Sequence, residues 1–219
     1  MKQKYPRTPH FPFSPGATHD DRVLKSLGAF ENKDVVFTFK MDGENTTLYR
    51  DGFHARSLDS RHHPSRDWLA RFHGALAHEI PEGWRICGEN LFARHSIAYD
   101  DLPSYFMGFS VWDERNVALS WRESKEFMEI LGITPVEEIA ELSGVFDQNT
   151  PSRIQAFLKG MDLERHEGLV MRLAGEIAYE DFGRSFAKWV RKGHVQTEDH
   201  WMHRAVVPNG LRGPDRMRP

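Results

Sequence analysis

Short apolar runs alternate with amphipathic stretches along most of the chain. The run of Val35, Val36, Phe37 and Phe39 predicts a strand over 34–40. Asp51-Gly52, between two runs rich in β-forming residues, predicts a hairpin of strands 45–50 and 53–57. Further strands are expected over 84–89, 105–112, 166–172 and 185–191. Helices interspersed among hairpin-connected strands favour one α+β domain with mostly antiparallel sheets.

Apolar residues spaced three and four apart predict helices between these strands. One helix should begin at Ser65 as its N-cap, and a second should run from the capping box Ser120–Glu123 to Gly132. A third is expected from Thr150 to Gly160, and a short one after Thr18.

The N-terminal stretch from Tyr5 to Gly16 carries a proline at every third position, which predicts an extended strap. Its aromatic rings could pack on the domain surface or face a ligand. We therefore divide the chain into a strap with a short helix packed on the domain (1–30), a catalytic domain (31–207) and a flexible tail (208–219) rich in glycine, proline and arginine.

Composition argues against disulfide-bonded, membrane-spanning and zinc-binding proteins. The chain has 219 residues, a net charge of −3 and one cysteine, Cys87, so no internal disulfide can form and a cytoplasmic location is expected. No apolar run is long enough for a membrane span. The twelve histidines are scattered without zinc-ligand spacing. These features predict a soluble protein, expected to be a monomer, with no global basic field for nucleic acid.

A local basic strip could still contact a phosphate backbone, or it could be the solvated face of the first long helix. It consists of Arg50, Arg56, Arg61, Arg66 and Arg71.

Most of the residues that could take part in catalysis lie at the ends of predicted strands. Lys40 ends the first strand among apolar neighbours, and desolvation should lower its pKa and make the amine nucleophilic. Asp42-Gly43 should form a tight turn after it. Glu89 and Glu167 also lie at strand ends beside glycines, and Lys188 lies within an apolar strand. Carboxylates that hold a divalent cation, together with lysines, suit phosphoryl chemistry.

This ordered set resembles the covalent nucleotidyltransferases, and most closely the ATP-dependent RNA ligases. The stretch 40–43 is similar to their nucleotidyl-lysine motif, and Asn45 to an asparagine of the RNA ligase branch. The other motifs follow in the family's order, over 55–57, 88–90, 106–113, 167–170 and at Lys188. The resemblance implies a single ATP-grasp-like ligase adenylation domain, without an OB-fold domain.

The resemblance also implies roles for individual residues. Lys40, Asn45 and Lys188 would be catalytic, and Glu167 and Glu89 would hold Mg²⁺ or Mn²⁺. ATP would contact a larger set: Phe39, Lys40, Asp42, Gly43, Asn45, Arg56, Glu89, Phe109, Glu167 and Lys188. The implied reaction seals RNA with 5′-phosphate and 3′-hydroxyl ends, through a covalent lysyl-AMP and an adenylylated 5′ end.

Two positions depart from the family pattern. Phe39 stands where many relatives carry a glutamate facing the adenine amino group, which leaves the choice between ATP and GTP open. Val190 stands where a second lysine is usual, and Arg191 could replace it only if the strand twists or ends there. A DNA ligase, a capping-type guanylyltransferase and a non-catalytic module that binds nucleic-acid ends remain as alternatives.

Overall fold

Two β-sheets form the centre of the molecule in a computed structural model that describes residues 2–59, 62–193 and 205–213. Its strands are β1 (Asp34–Lys40), β2 (Glu44–Tyr49), β3 (Gly52–Ala55), β4 (Arg85–Asn90), β5 (Phe106–Trp112), β6 (Val117–Ala118), β7 (Thr134–Pro135), β8 (Gly144–Val145), β9 (Gly168–Leu173), β10 (Ile177–Ala178) and β11 (Phe186–Val190). Its α-helices are α1 (Asp67–Leu76), α2 (Trp121–Ile130), α3 (Thr150–Gly160) and α4 (Phe182–Ser185).

The smaller sheet has the strand order β11-β9-β1-β8, and the larger has β10-β6-β5-β4-β2-β3, with β7 beside β5. All neighbouring strands are antiparallel except β5 and β7. The predicted α+β class with mostly antiparallel sheets is therefore confirmed. Among the described helices, none combines the length and apolar character needed to cross a membrane.

Strand alternation in the smaller sheet separates an apolar face from a charged one. Phe37 of β1 and Ala187 of β11 join Ile154 of α3 in one buried cluster. Lys40 and Lys188 differ from these residues by odd steps along their strands, so they lie on the opposite face. That face looks towards the larger sheet, and the space between the sheets is called the cleft below.

The helices begin mostly where the sequence predicts. The Ser120 hydroxyl accepts a hydrogen bond from the Glu123 backbone N–H at 3.2 Å, which confirms the capping box of α2, and Gly132 follows with a φ of 68°. Ser65 is not the cap of α1. It lies in a 3₁₀ turn over Pro64–Arg66, whose N–H groups His63 caps instead, and α1 starts after that turn.

The N-terminal strap is extended and adds to the free edge of β11. Phe11 N donates to Lys188 O at 2.8 Å, and Lys188 N donates to Pro9 O at 2.8 Å. The expected short helix after Thr18 is wrong, because that region forms only a 3₁₀ turn over Gly28–Phe30. The strap thereby covers a sheet edge that would otherwise be unpaired.

The C-terminal residues 208–213 pack against the loop between β4 and β5. Pro208 bridges to Ala93, and the Asn209 side chain, 5% exposed, donates to Leu91 O at 2.8 Å. The expectation of a flexible tail from Pro208 therefore does not describe residues 208–213, because their polar groups are satisfied by a distant loop. Residues 214–219 lie outside the described residues.

Candidate active site

The ends of strands from both sheets converge on Lys40. Lys40 is the last residue of β1 and lies opposite Gly168, the first residue of β9, so Glu167 is brought beside it. Glu89 of β4 lies opposite Asn45 of β2 in the larger sheet. The structure thus brings together residues that are widely separated in sequence.

Lys40 forms an ion pair with the buried carboxylate of Glu167. Burial by itself lowers the pKa of the Lys40 ammonium, but the carboxylates of Glu167 and Glu89 outweigh burial and raise it above its ordinary value. The sequence expectation of a lowered pKa is therefore wrong for this arrangement. The amine is protonated at neutral pH, so it could act as a nucleophile only after the negative charge around it is neutralised.

Glu89 holds a proton near neutral pH. Burial raises the pKa of its carboxyl to about 8, and the nearby Glu167 and Asp42 act in the same direction, whereas Lys40 opposes them. Its Oε1 accepts a hydrogen bond from Gly43 N at 3.2 Å. A protonated carboxyl can both donate and accept hydrogen bonds, which suits contact with a sugar hydroxyl.

Asp42 anchors a loop. Its Oδ2 accepts hydrogen bonds from Ser96 N at 2.8 Å, Ser96 Oγ at 2.7 Å and Ile97 N at 2.8 Å. The side chain is 3% exposed, so Asp42 fixes the β4–β5 loop against the end of β1.

Glycine is required at position 43 because neighbouring atoms leave no space for a side chain. An added Cβ would lie 2.6 Å from Asn90 O and 2.8 Å from Leu91 Cδ2. The tight turn expected at Asp42-Gly43 is not the reason for glycine here, because Gly43 is not among the described glycines with positive φ.

Positive charge lines the side of the cleft near β11. Burial lowers the pKa of Lys188 to about 8, and the neighbouring charges of Lys40 and Arg56 contribute in the same direction. Arg56 follows directly after β3 and is partly buried. Two cations held close together without full hydration favour an anion such as a phosphate.

Two further candidates border this cleft. Asn45 Oδ1 is buried and has no hydrogen-bond partner among the described residues. Phe109 of β5 is partly buried, and Tyr5 lies edge-on to it with ring centroids 5.2 Å apart.

Phe39 is separated from the other candidates by strand alternation. Its ring stacks on His166 with centroids 4.1 Å apart and lies 6.1 Å from the ring of Phe157. These partners lie on the α3 side of the smaller sheet, so the Phe39 side chain does not join the charged cluster.

Arg191 could replace the usual second lysine only if strand β11 twists or ends there, and the structure meets this condition. β11 ends at Val190, and Arg191 Nη2 donates to Ser96 Oγ at 3.2 Å, beside the group that binds Asp42. Arg191 therefore leaves the strand alternation and reaches the rim of the site.

The predicted basic strip is not one surface. Arg66 is 7% exposed and pairs with the buried carboxylate of Glu44. Arg56 lies at the cleft, and Arg61 lies outside the described residues. Phosphate binding by the strip as a whole is therefore not supported.

Sequence reasoning missed Ser96, Tyr99 and Tyr5. Ser96 binds Asp42, and the Tyr99 hydroxyl accepts from Asp42 N at 3.0 Å. Both residues lie in a long loop without periodicity, so no local pattern marks them. Tyr5 is signalled only by the aromatic, proline-spaced strap.

The acidic residues fit a magnesium ion held mainly by a nucleotide. The described residues contain no group of three or more His, Cys, Asp or Glu side chains arranged to hold a metal. Glu167 and Glu89 nevertheless both raise the pKa of Lys40, so their carboxyl groups lie near each other. Carboxyl oxygens are hard ligands of the kind that Mg²⁺ prefers. Mg²⁺ is usually bound by one or two carboxylates together with substrate phosphates and water.

Comparisons with known proteins identify the family and the fold of the chain. A family model described as RNA ligase matches residues 33–190. A comparison with curated proteins found no match.

Several solved structures share the fold. An archaeal ATP-dependent RNA ligase matches with a TM-score of 0.59 at 15% identity, over 86% of this chain and 48% of that chain. A Naegleria gruberi RNA ligase with PPi matches with a TM-score of 0.56 at 19% identity, over 75% and 51%. A putative ATP-dependent DNA ligase from Aquifex aeolicus matches with a TM-score of 0.52 at 20% identity, over 85% and 49%. The chain thus spans about half the length of the solved structures that it matches.

Proposed function

The chain belongs to the RNA ligase family, and from this premise we propose that it is an ATP-dependent RNA ligase. It would join 5′-phosphate and 3′-hydroxyl RNA ends through a covalent lysyl-AMP. The observation that carries this proposal is the cluster of two partly buried lysines, Lys40 and Lys188, with the buried carboxyls of Glu167 and Glu89, in which a lysine amine lies among carboxyls beside a second cation.

In the first step, Lys40 Nζ would attack the α-phosphorus of ATP. A P–N bond forms, the P–O bond to the β-phosphate breaks, and pyrophosphate leaves. Lys40 must first release its proton, and its pKa falls when the negative charge of Glu167 is neutralised. We therefore expect Lys40 to stay inactive until a divalent cation enters the site with the nucleotide.

The remaining cleft residues would position the nucleotide. Lys188 and Arg56 would contact phosphate oxygens, where developing charge needs stabilisation. One oxygen of the Glu89 carboxyl would bond a ribose hydroxyl, and Phe109 would pack against the base. A divalent cation held by Glu167, and by Glu89 after Glu89 has lost its proton, would supply further positive charge beside the phosphates.

The later steps use the same phosphorus chemistry. AMP would pass from Lys40 to the 5′-phosphate of the RNA, breaking the P–N bond and forming a pyrophosphate link. The 3′-hydroxyl would then attack the 5′-phosphate and release AMP. Asn45, whose Oδ1 lacks a partner among the described residues, would orient the RNA phosphate in these steps, with Arg191 at the rim.

The first test is adduct formation. Wild-type protein incubated with α-labelled ATP and Mg²⁺ should become labelled, and Lys40→Ala should not. Lys33→Ala is the matched control, because Lys33 is exposed just before the same strand and its side chain bonds the local Ala29 O. Wild-type protein that takes up no label would refute the proposal.

The second test separates the alternatives. Nicked RNA and nicked DNA duplexes are incubated with the labelled enzyme, and RNA should be sealed faster. Preferential sealing of DNA would indicate a DNA ligase, and labelling without any sealing would indicate a capping-type enzyme. Phe39 lies outside the charged cluster, so it should not turn the preference towards GTP. When the two nucleotides compete, ATP should therefore form more adduct than GTP.

A further inference from the structure

The N-terminal strap carries Tyr5 into the cleft. Tyr5 is 9% exposed, although its neighbour Arg7 lies on the surface. The backbone on its N-terminal side is held by two other tyrosines: Tyr49 OH donates to Gln3 O at 3.2 Å, and Tyr179 OH donates to Lys4 O at 2.8 Å. The segment is therefore held by one side chain at the end of β2 and one in the turn after β10, and these two contacts position the Tyr5 ring.

Aromatic rings surround Tyr5. Its ring lies edge-on to Phe109 and edge-on to Phe182, with both centroid separations 5.2 Å. Val170 of β9, which lies opposite Lys188, packs against the same cluster. Tyr5 thus shares a compartment with the ring to which the nucleotide base is assigned above.

Charged residues of the active site act on the Tyr5 hydroxyl. Burial raises its pKa, and the charges of Arg172, Arg56 and Glu89 lie close enough to modify that shift. Arg56 and Glu89 belong to the cluster around Lys40 and Lys188. The hydroxyl therefore lies within the electrostatic reach of the nucleotide site.

Buried polar atoms without partners lie near Tyr5. Trp112 belongs to the same cluster as Tyr5, and the charge of Arg172 acts on the Tyr5 hydroxyl. Trp112 Nε1 and Arg172 Nη1 are buried and make no hydrogen bond within the described residues. Arg172 uses its other nitrogens on backbone carbonyls, with Nη2 donating to Leu119 O at 2.7 Å. A buried polar atom left without a partner costs free energy, so such atoms call for a ligand or water.

We propose that Tyr5 is a specificity-determining residue of the base site and that it contacts the polar edge of a purine nucleotide. This inference rests on the function proposed above and names the base that the site selects. The guanidinium of Arg172 and the indole of Trp112 can only donate, so they require acceptor atoms such as purine ring nitrogens. The Tyr5 hydroxyl can donate or accept, and its ring edge packs against an aromatic base.

The test compares Tyr5→Phe, which keeps the ring and removes the hydroxyl, with wild type in adduct formation across a range of ATP concentrations. Tyr5→Phe should raise the half-saturating ATP concentration about three- to tenfold, the effect of one hydrogen bond, with the maximal rate little changed. The ratio of labelling by ATP to labelling by CTP should fall. Tyr5→Ala should weaken binding further, because the edge-on contacts are lost as well.

Tyr179→Phe is the matched control. It removes a tyrosine hydroxyl that lies at the surface and bonds Lys4 O, while Tyr49 still holds Gln3 and the Tyr5 ring keeps its contacts with Phe109 and Phe182. Its half-saturating ATP concentration should therefore rise less than that of Tyr5→Phe. Unchanged ATP dependence in Tyr5→Phe would overturn the proposal. Tighter ATP binding in Tyr5→Ala would also overturn it, because the ring would then occupy the place of the base.

Direct titration with AMP separates this inference from the proposed function. If the wild-type protein binds AMP but forms no adduct, the proposed function fails, and AMP affinities of the Tyr5 variants still test the base contact. If wild type forms the adduct and Tyr5→Phe matches it in both measurements, only the role of Tyr5 fails.

Discussion

Replacing Gly168 by alanine should destabilise the protein and displace the active-site strands together. Gly168 lies between Lys40 of β1 and Val190 of β11 in the smaller sheet. A Cβ at this position would lie 1.9 Å from Trp189 O and 3.1 Å from Val190 Cα. Carbon atoms pack favourably at about 3.5–4.0 Å, so the backbone of β11 would have to move by more than about 1 Å.

The size of the effect follows from what must move. Overpacking a core typically costs about 1–3 kcal/mol, and here the obstacle is main chain rather than a flexible side chain, so we expect about 3 kcal/mol. For a domain of this size, each kcal/mol lowers Tm by about 2–4 °C, which gives a fall of about 6–12 °C. Movement of β11 would also shift Lys188, so the rate of adduct formation should fall.

The assay measures thermal unfolding and α-labelled ATP uptake for Gly168→Ala beside Gly74→Ala. Gly74 lies within α1, and a Cβ there would meet nothing within 4 Å. Alanine is a better helix former than glycine, so Gly74→Ala should gain about 0.5–1 kcal/mol and leave uptake unchanged. The reasoning is refuted if Gly168→Ala unfolds within about 2 °C of wild type, since that would show that β11 adapts at little cost.

Two further predictions concern buried charge. Glu44→Gln leaves the Arg66 guanidinium buried without its countercharge and should cost about 3–5 kcal/mol in urea unfolding, whereas Arg122→Ala, which removes an exposed pair, should cost less than about 0.5 kcal/mol. Because burial raises the pKa of Glu89 from 4.5 to about 8, the folded state holds this proton more tightly, and stability is lost as pH rises through that window. Glu89→Gln cannot ionise, so its Tm should rise relative to wild type between pH 5 and pH 8.5, and parallel Tm curves for the two proteins would contradict this.

The local elements of the fold could be predicted from the sequence because their signals lie in neighbouring residues. The apolar run before Lys40 forms β1 with the predicted bounds, and the Ser120–Glu123 capping box starts α2 as expected. The error at Ser65 has a local cause as well: a proline at position 64 favours a 3₁₀ turn before the helix, and His63 competes for its N–H.

Part of the candidate site could also be predicted, because the order of its motifs along the chain can be read from the sequence alone. Lys40, Glu89, Glu167 and Lys188 lie near strand ends or within strands that the sequence marks, and the structure brings their charges together. The side chain of Phe39 was expected there too. Strand alternation, which follows directly from its place next to Lys40, turns it to the other face.

The sequence by itself therefore determined the strands, most helices and the identity of the charged residues, since these depend on spacing over a few positions. Only the tertiary structure decided the protonation of Lys40, because Glu167, its partner, lies 127 residues away and its field reverses the effect of burial. Likewise, Tyr5 and Ser96 reach the site through segments without periodic structure. Their positions follow from sheet packing and long-range hydrogen bonds, which no local pattern encodes.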